Sequence, residues 1–176
     1  MARLENKVVL LSGGASGIGA ATARLVVREG GKAVLADRDE AKGRALASEL
    51  GAAAHFVALD VTQEAAWQKA VADTVARFGA LHGLLNAAGV GVRNDIETCT
   101  LEEYRRVNDI NSLGTFLGCK AAVPAMKKSG GGSIVNISSV LGLRGAAYAM
   151  AYSASKGAVR TLTKSVALHC AQLKYN

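Results

Sequence analysis

Tyr152 and Lys156 stand four residues apart, and Ser139 lies thirteen residues before the tyrosine. On a helix, residues i and i+4 share a face, so the phenol and the ammonium point into one pocket. A phenol ordinarily titrates near about 10 and is a poor acid or base at neutral pH. A fixed cation beside it favours the phenolate. A phenol tuned in this way passes a proton to or from an alcohol or carbonyl oxygen. Tyrosine and lysine at this spacing are also common on solvated helix faces, so the elements around them decide which reading holds.

The N-terminal segment supplies that context. Residues 7–12, Lys-Val-Val-Leu-Leu-Ser, form a short apolar run that suits a buried parallel strand. Gly13, Gly14, Ala15, Ser16, Gly17, Ile18 and Gly19 follow. A helical pattern then runs to about Glu29 and stops at Gly30-Gly31. A strand, a glycine-rich turn and a helix make an anion site, because free N–H groups and the helix dipole face the ligand. The glycines let the backbone approach a pyrophosphate. The competing reading is an ordinary tight turn.

A second strand, Ala33 to Ala36, ends at Asp37, eighteen residues past Gly19. That is the place for a carboxylate that accepts hydrogen bonds from an adenosine ribose. It would repel a 2′-phosphate, which favours NAD over NADP. Arg38 would offset this in part, but Asp37 ends the strand and faces the ribose.

Taken together these residues resemble the short-chain dehydrogenase/reductase family. The family's Thr-Gly-x-x-x-Gly-x-Gly motif is matched by Ser12, Gly13, Gly17 and Gly19, with serine keeping the threonine hydroxyl. Asp60-Val61 matches its adenine-contacting pair, and Asn86-Ala87-Ala88-Gly89 its motif after the fourth strand. Asn111 falls at the family's helix asparagine; Ser139, Tyr152 and Lys156 complete the tetrad. The chain looks like the bacterial hydroxysteroid and related secondary-alcohol dehydrogenases over residues 4 to 176.

The resemblance implies an oxidoreductase that interconverts a secondary alcohol and a ketone with NAD, NADP being the less expected cofactor. Cofactor contacts would come from Gly13, Ser16, Gly17, Ile18, Gly19, Asp37, Asp60, Val61, Asn86, Ala87, Gly89, Tyr152 and Lys156. Ser139 and Tyr152 would hold the reacting oxygen, with Tyr152 as acid/base. Lys156 would serve both the phenol and the nicotinamide ribose. Asn111 would hold a water linking Lys156 to solvent. Alternatives stand beside these roles. Asn111 would otherwise bond a broken helix backbone, Asn86 a neighbouring strand, and Asp60 would cap the next helix. Asn108 competes with Asn111, and Ser138 with Ser139. The loop after Ser139, with Leu141, Leu143, Ala146, Ala147 and Met150, suits an apolar substrate.

The order of elements predicts the fold. Helices are expected at about 39–50 and 63–78, with strands at 55–59, 81–85 and 133–137. A long helical segment spans 101–127, with Gly114, Gly118 and Pro124 as weak points. A loop over 141–150 leads into the helix bearing Tyr152. Alternating strands and helices argue a doubly wound, Rossmann-like parallel sheet in three layers, a single α/β domain over 1–176. By resemblance the family continues into a sixth strand, a Pro-Gly turn near the nicotinamide, a substrate loop and a last strand. The sequence therefore reads as part of a longer enzyme. The alternatives are a short product in its own right, with its fifth strand as an exposed sheet edge, that binds NAD with impaired catalysis, or a structural or regulatory oligomer.

Composition narrows the classes further. The chain has 176 residues, 50% hydrophobic and 20% charged, an ordinary profile for one domain with a core. No apolar run approaches the roughly 18 residues of a membrane span, and the N-terminus lacks a signal peptide's apolar core. Cys99, Cys119 and Cys170 have no metal or redox spacing, which fits reduced thiols in the cytoplasm. The net charge of +7 is scattered and aromatics are only 5%, which argues against nucleic acid as a partner. The expected partners are a small alcohol or ketone and a second copy, as homodimer or homotetramer. By resemblance, the face for that copy would be the 101–127 segment with the helix bearing Tyr152. The helix's series Ala151, Ala154, Ala158, Leu162 and Val166 suits close packing, and burial against the sheet explains it equally well. Trp67 is expected in the core, and His55, His82 and His169 show no partner pattern.

Overall fold

The computed structural model describes residues 2–172. Five strands, β1 (Val8–Ser12), β2 (Lys32–Asp37), β3 (Ala54–Ala58), β4 (Gly83–Asn86) and β5 (Ser133–Asn136), form one parallel sheet in the order β3-β2-β1-β4-β5. The helices are α1 (Gly17–Arg28), α2 (Glu40–Leu50), α3 (Glu64–Phe78), α4 (Leu101–Asn108), α5 (Gly114–Lys128) and α6 (Met150–Gln172). The expected Rossmann-like α/β fold is therefore present, with strand edges displaced by one or two residues from the sequence reading.

Each central strand is apolar on both faces. Leu10, Val34 and Leu84 point into a core completed by Trp67 of α3 and Leu117, Ala122 and Met126 of α5. Leu11, Leu35 and Leu85, their immediate neighbours in sequence, point the other way into a core with α1 and α2. This period-two division of continuous apolar runs is what a sheet covered on both faces demands. Chain order reverses between β1 and β4, so their following loops diverge and leave a crevice at the strands' C-terminal ends.

The long segment from 101 breaks beside one of its expected weak points, Gly114, and not at Pro124. Pro124 is accommodated inside α5. The irregularity is a π turn at Asp109–Leu113, just ahead of Gly114. A π turn adds a residue to the helical circuit and re-aims the side chains it carries. Here it carries Asn111, which is fully buried.

His82, expected to be structural or at the surface, takes a structural role. Its Nδ1 accepts the Val8 N–H at 3.1 Å, and its backbone N–H donates to Val8 O at 2.9 Å. Burial, then the Lys7 charge, pushes the imidazole below its ordinary value of 6.5. The unfolded chain thus binds this proton more readily than the folded one. Stability from His82 should be complete above about pH 6.5 and lost as pH falls through the lower folded-state value. Urea titrations at stepped pH should show this fall. His82→Ala should flatten it, and at pH 7 should cost about 0.5–1.5 kcal/mol. An identical pH slope in both proteins would remove His82 from the account.

Candidate active site

A cleft of about 1020 Å³ opens where β1 and β4 diverge, bounded by the glycine-rich turn, the ends of β2 and β3, the loop after β4, and α4. Gly13, Ser16, Gly17, Ile18 and Gly19 all line it. Gly19 is held there by close approach: a Cβ would sit 2.1 Å from the Gly13 carbonyl oxygen. Gly17 has φ of +50°, and the place its Cβ would occupy has no atom within 4 Å. The first turn of α1 is therefore open towards the cleft. Ser16 precedes that helix and its hydroxyl makes no capping bond. Unspent N–H groups, a free hydroxyl and an open cradle fit a phosphate or pyrophosphate.

Asp37 and Arg38 line the same cleft at the end of β2, and Asp60 and Val61 line it after β3. Asp37 accepts Ala15 N–H through Oδ2 and Asp39 N–H through Oδ1, both at 3.0 Å. Asp60 does not cap the next helix, whose N-cap is Gln63. Its Oδ1 instead accepts the N–H and hydroxyl of Thr62, at 2.9 and 2.8 Å. Val61 is fixed from below, because the buried Trp67 indole N–H donates to its carbonyl at 3.0 Å. Ala87 and Gly89 form the β4 side. The Ser12 hydroxyl ties the two turns together by accepting Ala88 N–H at 3.4 Å.

Asn86 takes the alternative of its two sequence readings, a bond to a neighbouring strand. It is buried, and its Nδ2 donates to Asn136 Oδ1 on the neighbouring strand at 2.8 Å. Its side chain does not line the cleft.

The titratable group at the centre is Lys156. It is only 5% exposed, and Nζ donates to the Ile137 carbonyl at 2.7 Å. Burial pushes the ammonium below its ordinary value of 10.5. The same Nζ lies 5.7 Å from the centroid of the Tyr152 ring. It also lies 3.6 Å from the position a Cβ on the cleft residue Gly89 would occupy. One cation therefore lies near both the Tyr152 ring and the cleft residue Gly89, although Lys156 and Tyr152 do not themselves line the cleft.

Asn111 does not patch its own broken helix. Its Oδ1 accepts Val90 N–H at 2.8 Å, and Nδ2 donates to Val90 O at 2.9 Å and to Ser155 Oγ at 3.0 Å. Ser155 in turn donates to the Tyr152 carbonyl at 2.8 Å. Asn108, the rival residue, bonds back to Tyr104 O on its own helix. The π turn, the loop after β4 and the Tyr152–Lys156 turn are thereby joined through one buried amide.

Ser138 and Ser139 are also distinguished. Ser138 donates to the Lys156 carbonyl at 2.9 Å, so it fastens the loop to α6. Gly142 lies against the same carbonyl, where a Cβ would come within 2.7 Å. Ser139 Oγ accepts Leu141 N–H at 3.1 Å and keeps its own hydrogen for another acceptor. Sequence reasoning missed Ser155 and weighed Ser138 only as a rival of Ser139. Both are small hydroxyl residues beside a stronger candidate, and only their long-range partners reveal a role.

The chain matches the family model for short chain dehydrogenases over residues 7–174. It is 50% identical over 166 residues to a 3-alpha-(or 20-beta)-hydroxysteroid dehydrogenase of Mycobacterium tuberculosis (strain ATCC 25618 / H37Rv), covering 94% of this chain and 64% of that protein. It is 45% identical to a trans-4-hydroxycyclohexanecarboxylate dehydrogenase of Sinomonas cyclohexanicum, over 94% of this chain and 67% of the relative. It is 42% identical to a cyclopentanol dehydrogenase of Comamonas sp. (strain NCIMB 9872), over 97% and 70%. The chain thus spans about two thirds of the length of these relatives. With the sheet order, the glycine cradle at its switch point and a match running through almost every described element, the chain belongs to the short chain dehydrogenase family.

Proposed function

We propose that this chain carries the cofactor cleft and proton-transfer group of an NAD-dependent oxidoreductase that interconverts a ring-borne secondary alcohol and its ketone. The observation that carries the reading is the position of Lys156, buried between the Tyr152 ring and the Gly89 side of the cleft. The relatives' printed names support the substrate class: the cyclohexane and cyclopentane alcohols and the 3-alpha-hydroxysteroid bear the hydroxyl on an alicyclic ring, and the 20-beta-hydroxysteroid bears it on a carbon attached to one. Apolar side chains near the Ser139 loop agree with it: Val140, Leu143 and Tyr148 are 63, 63 and 56% exposed.

In this reading the pyrophosphate lies on the open first turn of α1, and Asp37 meets the adenosine ribose. Asp60 and Val61 border the adenine. When bound, NAD supplies the hydride acceptor for the carbinol carbon. The residues of the chain do the rest. Ser139 donates its hydrogen to the substrate oxygen and stabilises charge that develops there. Tyr152 removes the hydroxyl proton on oxidation and returns it on reduction. Lys156 holds positive charge beside the phenol and reaches toward the nicotinamide ribose. Asn111 fixes Val90 and Ser155, and its Oδ1 keeps a lone pair for a water that continues the proton path.

The enzyme would work in the cytoplasm as a homodimer or homotetramer. No described helix is long and apolar enough to cross a membrane. The exposed Tyr104, Leu113 and Phe116 on the α4–α5 segment support self-association. Of the α6 series, Ala154 and Ala158 are exposed and support it too, whereas Ala151 is fully buried and Leu162 and Val166 are half-buried.

Two measurements on the full-length enzyme test this reading. Tyr152→Phe should lower kcat by about 10²–10⁴, while the Kd for NAD stays within about twofold because only the proton-carrying hydroxyl is lost. Retention of most of the rate would assign the proton to another group. By calorimetry NAD should bind at least about tenfold more tightly than NADP, since Asp37 opposes a 2′-phosphate. Equal or tighter NADP binding would mean that Arg38 governs the choice.

A further inference from the structure

We infer that Asp37 is a positioning residue for the glycine-rich turn, in addition to any contact with a ribose. The inference rests on the nucleotide reading of the cleft. Asp37 ends β2, yet both its carboxylate oxygens are taken by backbone donors. Oδ2 accepts from Ala15 across the cleft floor, and Oδ1 accepts from Asp39. Beside them, Gly14 N–H donates to Ala36 O at 3.2 Å. Two adjacent residues of β2 therefore receive two adjacent residues of the turn.

The turn needs such support. Ser16, the residue after Ala15, makes no side-chain cap. Gly17 follows in the left-handed region with open space around it. Nothing on the cleft side of residues 16 and 17 fixes their orientation. The charge-assisted bond from Ala15 to Asp37 does so from behind. It sets the direction of the first N–H groups of α1 before any ligand arrives, and such preorganisation contributes directly to affinity.

The sign of one substitution separates this role from the alternatives. A carboxylate near a diphosphate repels it, so charge alone makes Asp37→Asn bind anions more tightly. A pure ribose acceptor makes the substitution harmful only to ligands with ribose hydroxyls. A clasp makes it harmful to every diphosphate, because one oxygen becomes an N–H₂ donor facing a backbone donor.

The test uses the intact protein, ADP, and 2′,3′-dideoxy-ADP, which lacks the ribose hydroxyls. In calorimetry Asp37→Asn should weaken both ligands, dideoxy-ADP by roughly threefold to tenfold, the worth of one hydrogen bond. Hydrogen exchange over residues 13–17 should quicken while β1 and β4 stay protected, which separates a local clasp from general loss of stability. Asp37→Ala, which removes both acceptors and adds no donor, should likewise weaken dideoxy-ADP and serves if the asparagine variant does not fold. Unchanged or tighter dideoxy-ADP binding in the variants overturns the inference. Failure of the unaltered protein to bind either nucleotide overturns the nucleotide reading itself, and the clasp with it.

Discussion

A buried ammonium is the constraint around which this molecule is arranged. Lys156 is 5% exposed and has one hydrogen-bond acceptor, the Ile137 carbonyl. Burial lowers its proton affinity, so the charge persists only where the surroundings favour it. A carbonyl at the end of β5, an aromatic face at Tyr152 and an open cleft at Gly89 are the neighbours provided. Replacing them with apolar groups would favour neutral lysine. An anionic or hydroxyl-rich ligand in the cleft would favour the charged form, so ligand binding and the state of the phenol's neighbour are linked.

That arrangement requires three separate parts of the chain to meet within a few ångströms. The sheet delivers the first two, because strand order reverses between β1 and β4 and both turns open into one crevice. The third, the Tyr152–Lys156 turn of α6, comes from beyond the sheet edge and must be tied in. Asn111 does this through Val90 and Ser155, and Ser138 does it through the Lys156 carbonyl. The π turn makes the first tie possible by turning Asn111 inward. A partly satisfied network of this kind would be costly, since each buried polar group left unpaired loses about 1–3 kcal/mol. Such networks therefore hold one geometry closely.

The fold and the cleft were legible in the sequence because their signals are local. Apolar runs of five or six residues mark the strands, and glycine spacing marks the cradle. An acidic residue at each of two strand ends marks the far wall. The residues that join the site were hard to read because their partners lie far along the chain. Ser155 sits inside the Tyr-x-x-x-Lys element and reads as filler until its bond to Asn111, 44 residues away, is seen. Asn86 sits in a motif that suggests the cleft, yet it bonds across to Asn136, 50 residues on. Of the three weak points expected in the 101–127 segment, the irregularity abuts Gly114, while Gly118 and Pro124 are accommodated inside α5.

The central claim is that one cation serves the cofactor cleft and the proton-transfer phenol together. It is tested by following deuterium from a carbinol-deuterated cyclic alcohol to NAD in the full-length enzyme, alongside calorimetric NAD affinity, for the unaltered protein and Lys156→Met. The unaltered enzyme should place deuterium on the nicotinamide. The variant should lose that transfer and bind NAD more weakly, both effects arising from one change. A Lys156→Met enzyme that bound NAD as tightly as before, or still transferred deuterium at the original rate, would contradict the account.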